Sequence, residues 1–328
     1  MFNNRLRFLP ILLAILSLSG IVSHTKLWAA SCCGGGSASA LVMPKFSSAM
    51  LDISLDVEQY DGFWDRQGKW RSDPPDSGLR QFRLNTGAAY RLGDNWQTAM
   101  SLPYVWNDNH YSGIDSQTQG VGDTKWSLWY ETFENVTCVW KIYSLADLKP
   151  ALYYGLTLTL PTGISPFDQV NDSFDVTGRG FYRLEGNILL EKTIYPWNMS
   201  LLLTYGKSLK RPVNREYGEY VTPYDKQPGD SFLGSLSFGY TYFMDSLDSL
   251  TFTLAQASLQ EKQGHIDQQT DPTSGFRKNS RSLTVAFANV MRAWSTRLSW
   301  NHTLKQDHEG FNFPSTDILS WGMSYVFW

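Results

Sequence analysis

Past residue 22 the chain has no run of 18 consecutive apolar residues, so no further bilayer-spanning helix is expected. A mean hydropathy of −0.30 also argues against a helical membrane protein. Cysteine is scarce. Cys32, Cys33 and Cys138 give no even disulfide framework, and two adjacent thiols with no histidine nearby make a poor metal-ligand set. His265, His302 and His308 form no His-x-x-x-His pair, and no glycine-rich phosphate loop opens a helix. The loop acids Asp168, Asp172 and Asp175 lack the Asp-x-Asp-x-Asp-Gly pattern of a calcium loop. No metal or cofactor is therefore expected. A net charge of −3 removes any electrostatic case for nucleic acid.

What is present begins with an export signal. Arg5 and Arg7 precede the apolar stretch Phe8–Val22, which is short for a membrane anchor. Polar His24, Thr25 and Lys26 follow, then the small residues Ala29, Ala30 and Ser31. Residues 1–31 are accordingly expected to be a cleaved signal peptide, and residues 32–48 a flexible leader rich in Cys, Gly and Ser. Ala29-Ala30-Ser31-Cys32 resembles a lipoprotein box, which makes Cys32 a candidate for lipidation, although Leu usually stands where Ala29 does.

From residue 49 a period of two takes over. In Leu152–Leu160 the even positions are Leu, Tyr, Leu, Leu and Leu, the odd ones between them Tyr, Gly, Thr and Thr. Pro161-Thr162-Gly163 then stops the strand. Twelve such strands are expected, at about 49–60, 80–91, 96–107, 123–133, 150–160, 181–192, 197–207, 231–243, 249–259, 281–291, 295–305 and 317–328. Short connections (92–95, 193–196, 245–248, 292–294) alternate with long polar ones (61–78, 108–122, 162–180, 208–230, 260–279, 306–315). The one exception is 135–148, a long connection on the short side that contains Cys138 and Trp140. A soluble sandwich has no reason to sort its loops this way; an outer-membrane barrel does.

The two faces differ in charge. Leu84, Met100, Leu102, Trp126, Leu184, Leu201, Phe238 and Leu283 share faces that no charge interrupts. Opposite them stand Asp52, Asp56, Arg83, Lys125, Arg183, Glu185 and Arg297. Lys or Arg facing lipid at the midplane costs about 2–4 kcal/mol, so charge belongs on the lumen side. Trp96, Trp197, Trp294 and Trp328 fall at the short-turn ends of their strands, Trp64 and Trp106 near the opposite ends, as two aromatic girdles would. The chain ends on an aromatic-rich strand, Leu319 to Phe327 in one phase, resembling the terminal signal read by the barrel-insertion machinery. The expected fold is an all-β transmembrane antiparallel β-barrel of about twelve strands over 49–328, integral to a bacterial outer membrane and in contact with its lipid.

Three landmarks add a family resemblance. They are Ser101-Leu102-Pro103-Tyr104-Val105-Trp106, Gln119-Gly120-Val121-Gly122-Asp123-Thr124, and Leu158-Thr159-Leu160-Pro161-Thr162-Gly163. In order and spacing they resemble an outer-membrane transporter family named for a phenol-degradation (meta-cleavage) pathway. The resemblance implies a barrel admitting small, often aromatic or hydrophobic solutes and brings no catalytic residues. The Cys-Cys-Gly-Gly-Gly leader has no counterpart in its pattern.

The expected function is therefore a channel or transporter for small molecules, not an enzyme. Arg83, Lys125, Arg183, Glu185, Asp52 and Asp56 are the lumen candidates. In a pore they set a field for passing solutes; in a narrow barrel they pair with one another. Twelve strands lie between the eight that side chains can fill and the sixteen of a wide porin, which favours a narrow or gated path. One rival is a hydrolase resembling outer-membrane phospholipase, with His110 deprotonating Ser112 and Asn107, Asn109 or Asp115 orienting the imidazole. Its other motif residues are missing, and the pair lies in the polar loop 108–122. A second rival is a structural or adhesive barrel that binds through its long loops.

Overall fold

The computed structural model describes residues 41–328 except 112, 133–137, 171–172, 273, 290–292, 309 and 312. The proposed signal peptide and Cys32 lie outside the described residues. Twelve wall strands run in chain order around a closed antiparallel sheet. They are β1 (Ala49–Trp64), β2 (Gly78–Arg91), β3 (Trp96–Tyr111), β4 (Thr124–Glu131), β5 (Ala151–Leu160) and β6 (Arg183–Ile194). The circuit continues with β7 (Trp197–Ser208), β8 (Ser231–Phe243), β9 (Ser249–Glu261), β10 (Phe276–Asn289), β11 (Trp294–Thr303) and β12 (Phe313–Phe327). β12 returns to β1 in a register running from Ala49↔Phe327 to Trp64↔Phe313, so neither strand is left as an edge.

Alternation decides which side each residue takes. Leu55, Leu84 and Tyr104 lie in one cross-strand row on the outside, and Asp56, Arg83 and Val105 in the adjacent row within. Leu319, Trp321, Met323, Tyr325 and Phe327 are all exposed on the outer wall. At the short-turn end Trp96 meets Tyr130 and Trp197 meets Tyr240, each pair with ring centroids 5.0 Å apart. Trp64 departs from the girdle expectation. Its even phase and the register shift between Tyr60 and Phe63 turn it inward, where it is fully buried and its Nε1 donates to the Gln306 carbonyl at 2.9 Å.

The strands are longer at the long-loop end than apolar alternation suggests. β3 runs to Tyr111, and Ile114–Val121 pairs back on it, so most of the expected loop 108–122 is ladder. This upper segment continues into β4 across a one-residue register change: Tyr104 faces Val121, whereas Ser101 faces Lys125. The expected loops 208–230 and 260–279 contribute Arg211–Glu216, Glu219–Gln227, His265–Ile266 and Gln269–Thr270 to a separate four-stranded sheet. Its first hairpin turns through Tyr217 and Gly218, at φ of 45° and 78°. Above the apolar band both faces of a strand are polar, so the hydrophobic pattern that marks the wall fades although backbone pairing continues.

Residues 41–48 correct the flexible-leader expectation at its C-terminal end. They pack within the barrel, and Met43 is 1% exposed.

Candidate functional site

The short-turn end of the lumen is filled by this N-terminal segment. Val42 joins Trp129, Ala151, Tyr153, Leu189 and Leu202, all inward-facing, in one apolar cluster. Met43 packs with Met50, Ala89 and Ala99, and Leu41 and Val326 close over them. The Met43 N–H donates to Gln97 Oε1 at 2.6 Å. Arg91 donates from Nε to the Ser47 carbonyl at 2.7 Å and from Nη2 to the Pro44 carbonyl at 3.1 Å. Its Nη1 lies 3.4 Å from buried Glu131, which Lys45 also approaches at 3.9 Å. A backbone segment inside a barrel needs such partners for its polar groups, and Gln97 and Arg91 supply them.

At the long-loop end the connection after β5 folds onto the inner wall. The carboxylate of Asp123 accepts from the Gly163 N–H at 3.2 Å and the Arg179 N–H at 2.7 Å. Thr162 Oγ1 accepts from the Thr124 N–H at 3.0 Å and donates to the Gly122 carbonyl at 2.7 Å. Gly163 and Gly178 meet back to back, and a Cβ on Gly178 would lie 2.2 Å from Asp123 Oδ1. Further toward the long-loop end, Asn107 donates to the Val176 carbonyl at 3.1 Å and Asn109 to the Phe174 carbonyl at 3.0 Å. Asp123, Gly163 and Thr162 belong to the sequence landmarks. Their shared task is to clamp this loop to β4.

Between the two ends the wall is chemically lopsided. On β8 to β11 the mid-strand inward positions are small: Ser235, Ser237, Thr253, Ala255, Ser282, Thr284 and Ser299, all half-buried, with the charged Glu261, Lys278 and Arg297 nearer the strand ends. The opposite wall carries the bulky apolar cluster below and ionic clusters above. Arg83 Nη2 reaches Glu58 at 2.7 Å and Gln81 Oε1 at 2.6 Å, and its Nη1 lies 3.6 Å from Asp56. Arg183 lies 3.5 Å from Glu185 and 2.8 Å from Glu261, and Arg179 grips Glu261 with two bonds of 2.7 Å. Asp52 is held by both Nη atoms of Arg297.

Five of the six lumen candidates are therefore in ion pairs. Lys125 is exposed, shares a row with Ser101 and Thr159, and has no ion-pair partner among the described residues. Sequence reading missed Glu58, Gln97 and Glu261 as partners. Their inward phase was a usable signal, but which inward residues meet across the lumen depends on register.

His110 is on the outward face of β3, exposed, and its ring is bonded to Asp115 across the β3 hairpin. Ser112 lies outside the described residues. Asn107 and Asn109 point the other way, so neither orients the imidazole. Among the described residues no group of three or more His, Cys, Asp or Glu is placed to hold a metal.

No family model matches the chain, and no curated protein matches it in sequence. Among solved structures, an outer-membrane channel from Pseudomonas putida F1 superposes with a TM-score of 0.66 at 15% identity, over 87% of this chain and 97% of that one. The fold is that of an outer-membrane β-barrel. The β domain of the Bordetella autotransporter BrkA is also similar, with a TM-score of 0.51 at 11% identity, over 86% of this chain and all of the other (100%). In such barrels the short turns are periplasmic and the long loops face outward. Residues 41–48 thus occupy the periplasmic end of the lumen, and the Asp123 clamp narrows the outer mouth.

Proposed function

We propose that this chain is an outer-membrane channel that passes small hydrophobic or aromatic molecules by a narrow path. The observation that carries the reading is the lopsided lumen. Small hydroxyl and methyl groups line the middle of β8 to β11, while bulk and most of the paired charge fill the other side. A path along the small-residue wall meets hydroxyls and methyls with few fixed charges. That environment suits a solute with an apolar body and one polar group, such as a simple phenol, better than a sugar that needs many hydrogen bonds. The fold shared with the Pseudomonas putida channel supports the reading, as does the resemblance of the three landmarks to the phenol-pathway transporter family.

Segment 41–48 sets the size limit in this account. The path passes beside it or opens when it shifts, so the channel is selective and not a general porin. The test is uptake of phenol, a disaccharide and an amino acid into liposomes holding the folded protein. Faster phenol uptake than in protein-free vesicles, with little change for the other two, is the expected result. The hydrolase alternative gains nothing from the placement of His110, whose ring faces outward above the apolar band.

A further inference from the structure

The connection between β4 and β5 is the long one on the periplasmic side, and its surface is unlike that of a solvated turn. Within the nine residues 140–148, Trp140 is 64% exposed, Ile142 48%, Tyr143 84%, Leu145 85% and Leu148 44%. A cluster of this kind marks an interaction surface. It is not a loose excursion. Cys138–Val139 pairs in parallel with Thr193 and Ile194 of β6, and the Tyr195 N–H donates to the Val139 carbonyl at 2.8 Å. The Asp147 carboxylate accepts from the Tyr143 and Ser144 N–H groups at 2.9 and 2.8 Å and so pins the loop before the short 3-10 turn Leu145–Leu148. Those bonds hold the Asp147 carboxyl below the usual carboxylate range and occupy its charge locally.

Position decides what covers this surface. The Trp140 ring lies tilted 4.4 Å from Tyr195 and stacks 5.6 Å from Phe243, and those two rings lie 5.4 Å from each other. In the same turn as Tyr195, Trp197 packs on Phe238 at 5.1 Å and Tyr240 at 5.0 Å on the lipid-facing wall. The loop adjoins the periplasmic girdle, because Tyr195, which carries the Trp140 ring, stands two residues before Trp197, and Lys192 on the outward face of β6 acts electrostatically on Asp147. Lys141 and Lys149 stand at either end of the apolar cluster.

We propose that residues 140–148 form a foot seated in the periplasmic leaflet, with phospholipid as its partner. Trp140, Tyr143 and Leu145 enter the boundary between headgroups and acyl chains, while Lys141 and Lys149 reach the phosphates. The foot fixes the depth of the β4–β5 side of the barrel and plays no part in solute passage. A periplasmic protein is the competing occupant.

The test uses the full mature chain in phospholipid nanodiscs, with Cys32, Cys33 and Cys138 replaced by Ser. A nitroxide is placed at Leu145→Cys, at Tyr143→Cys, or at Asp94→Cys in the short β2–β3 turn. Power saturation with oxygen and with a nickel chelate reads lipid against water contact. The expected result is oxygen-dominated relaxation at 143 and 145 and nickel-dominated relaxation at 94. Nickel-dominated relaxation at all three overturns the proposal. So does a label at 145 that becomes immobile only when periplasmic extract is added, which assigns the surface to a protein.

Discussion

The Arg297 guanidinium lies over Gly322 and closes on both oxygens of Asp52, at 2.7 and 2.9 Å. Arg297 is on β11, Gly322 on β12 and Asp52 on β1, so this one contact spans the strand that seals the barrel. Any side chain at 322 would intrude, since a Cβ there would sit 2.8 Å from the guanidinium carbon. Asp52→Asn is expected to lower unfolding stability by about 2–3 kcal/mol, less than the ~3–5 kcal/mol of a dry buried pair because lumen water reaches both side chains. The urea midpoint of unfolding from phospholipid bilayers checks this. The double variant Asp52→Asn/Arg297→Gln should lose less than the sum of the two singles, because no unpaired charge remains.

The outer clamp makes a second prediction. Asp123→Ala removes the acceptor for the Gly163 and Arg179 N–H groups, and the loop after β5 should detach from β4. Hydrogen exchange of those two amides is expected to speed up by at least tenfold while amides of β6 stay protected, since a lost hydrogen bond to a charged group is worth about 1.5–3 kcal/mol. Unchanged exchange at 163 and 179 would mean that Thr162 and Thr177 hold the loop without Asp123.

Most of this barrel was legible in the sequence, because a lipid-facing wall and a polar lumen impose opposite chemistry on successive residues. Leu152–Leu160 and Leu319–Phe327 announce their faces through that alternation alone. The upper hairpins were less legible: Ile114–Val121 is polar on both faces once it leaves the bilayer, so only backbone pairing defines it. Segment 41–48 was hidden for another reason. Leu41, Val42 and Met43 are three apolar residues in a row with no period, and nothing local says that Gln97 and Trp129 wait for them inside the barrel. The lumen charges were found by phase, but their partners were not, since Glu58 and Glu261 come into reach only through the register of the closed sheet.

Placement of the periplasmic segment gives a third prediction. Burying Val42 and Met43 stabilises the docked segment by about 1.5–3 kcal/mol for each side chain. Met43→Asp should undo much of that, leaving the barrel folded and the lumen wider. Single-channel conductance in planar bilayers is expected to rise and become noisier. An unchanged conductance would show that ions already bypass the segment.

Lys125 offers a charge test. It is the lumen candidate with no ion-pair partner among the described residues, so its field acts on passing ions. Lys125→Glu should shift the reversal potential under a potassium chloride gradient toward cation preference. The double variant Arg83→Gln/Glu58→Gln should shift it less, because it removes a pair that is already neutral and leaves the net lumen charge unchanged. Equal shifts from the two variants would contradict the pairing described.

The most direct test of the channel reading is solute flux into liposomes containing the folded wild-type protein, set beside the Ser237→Trp variant. Ser237 sits midway along β8 on the small-residue wall, in register with Ser200 of β7, and a Trp there fills the path without altering segment 41–48 or Asp123. The account predicts selective phenol uptake by the wild type and its loss in Ser237→Trp. Phenol uptake no faster than in empty vesicles, or uptake that the Trp leaves untouched, would contradict it.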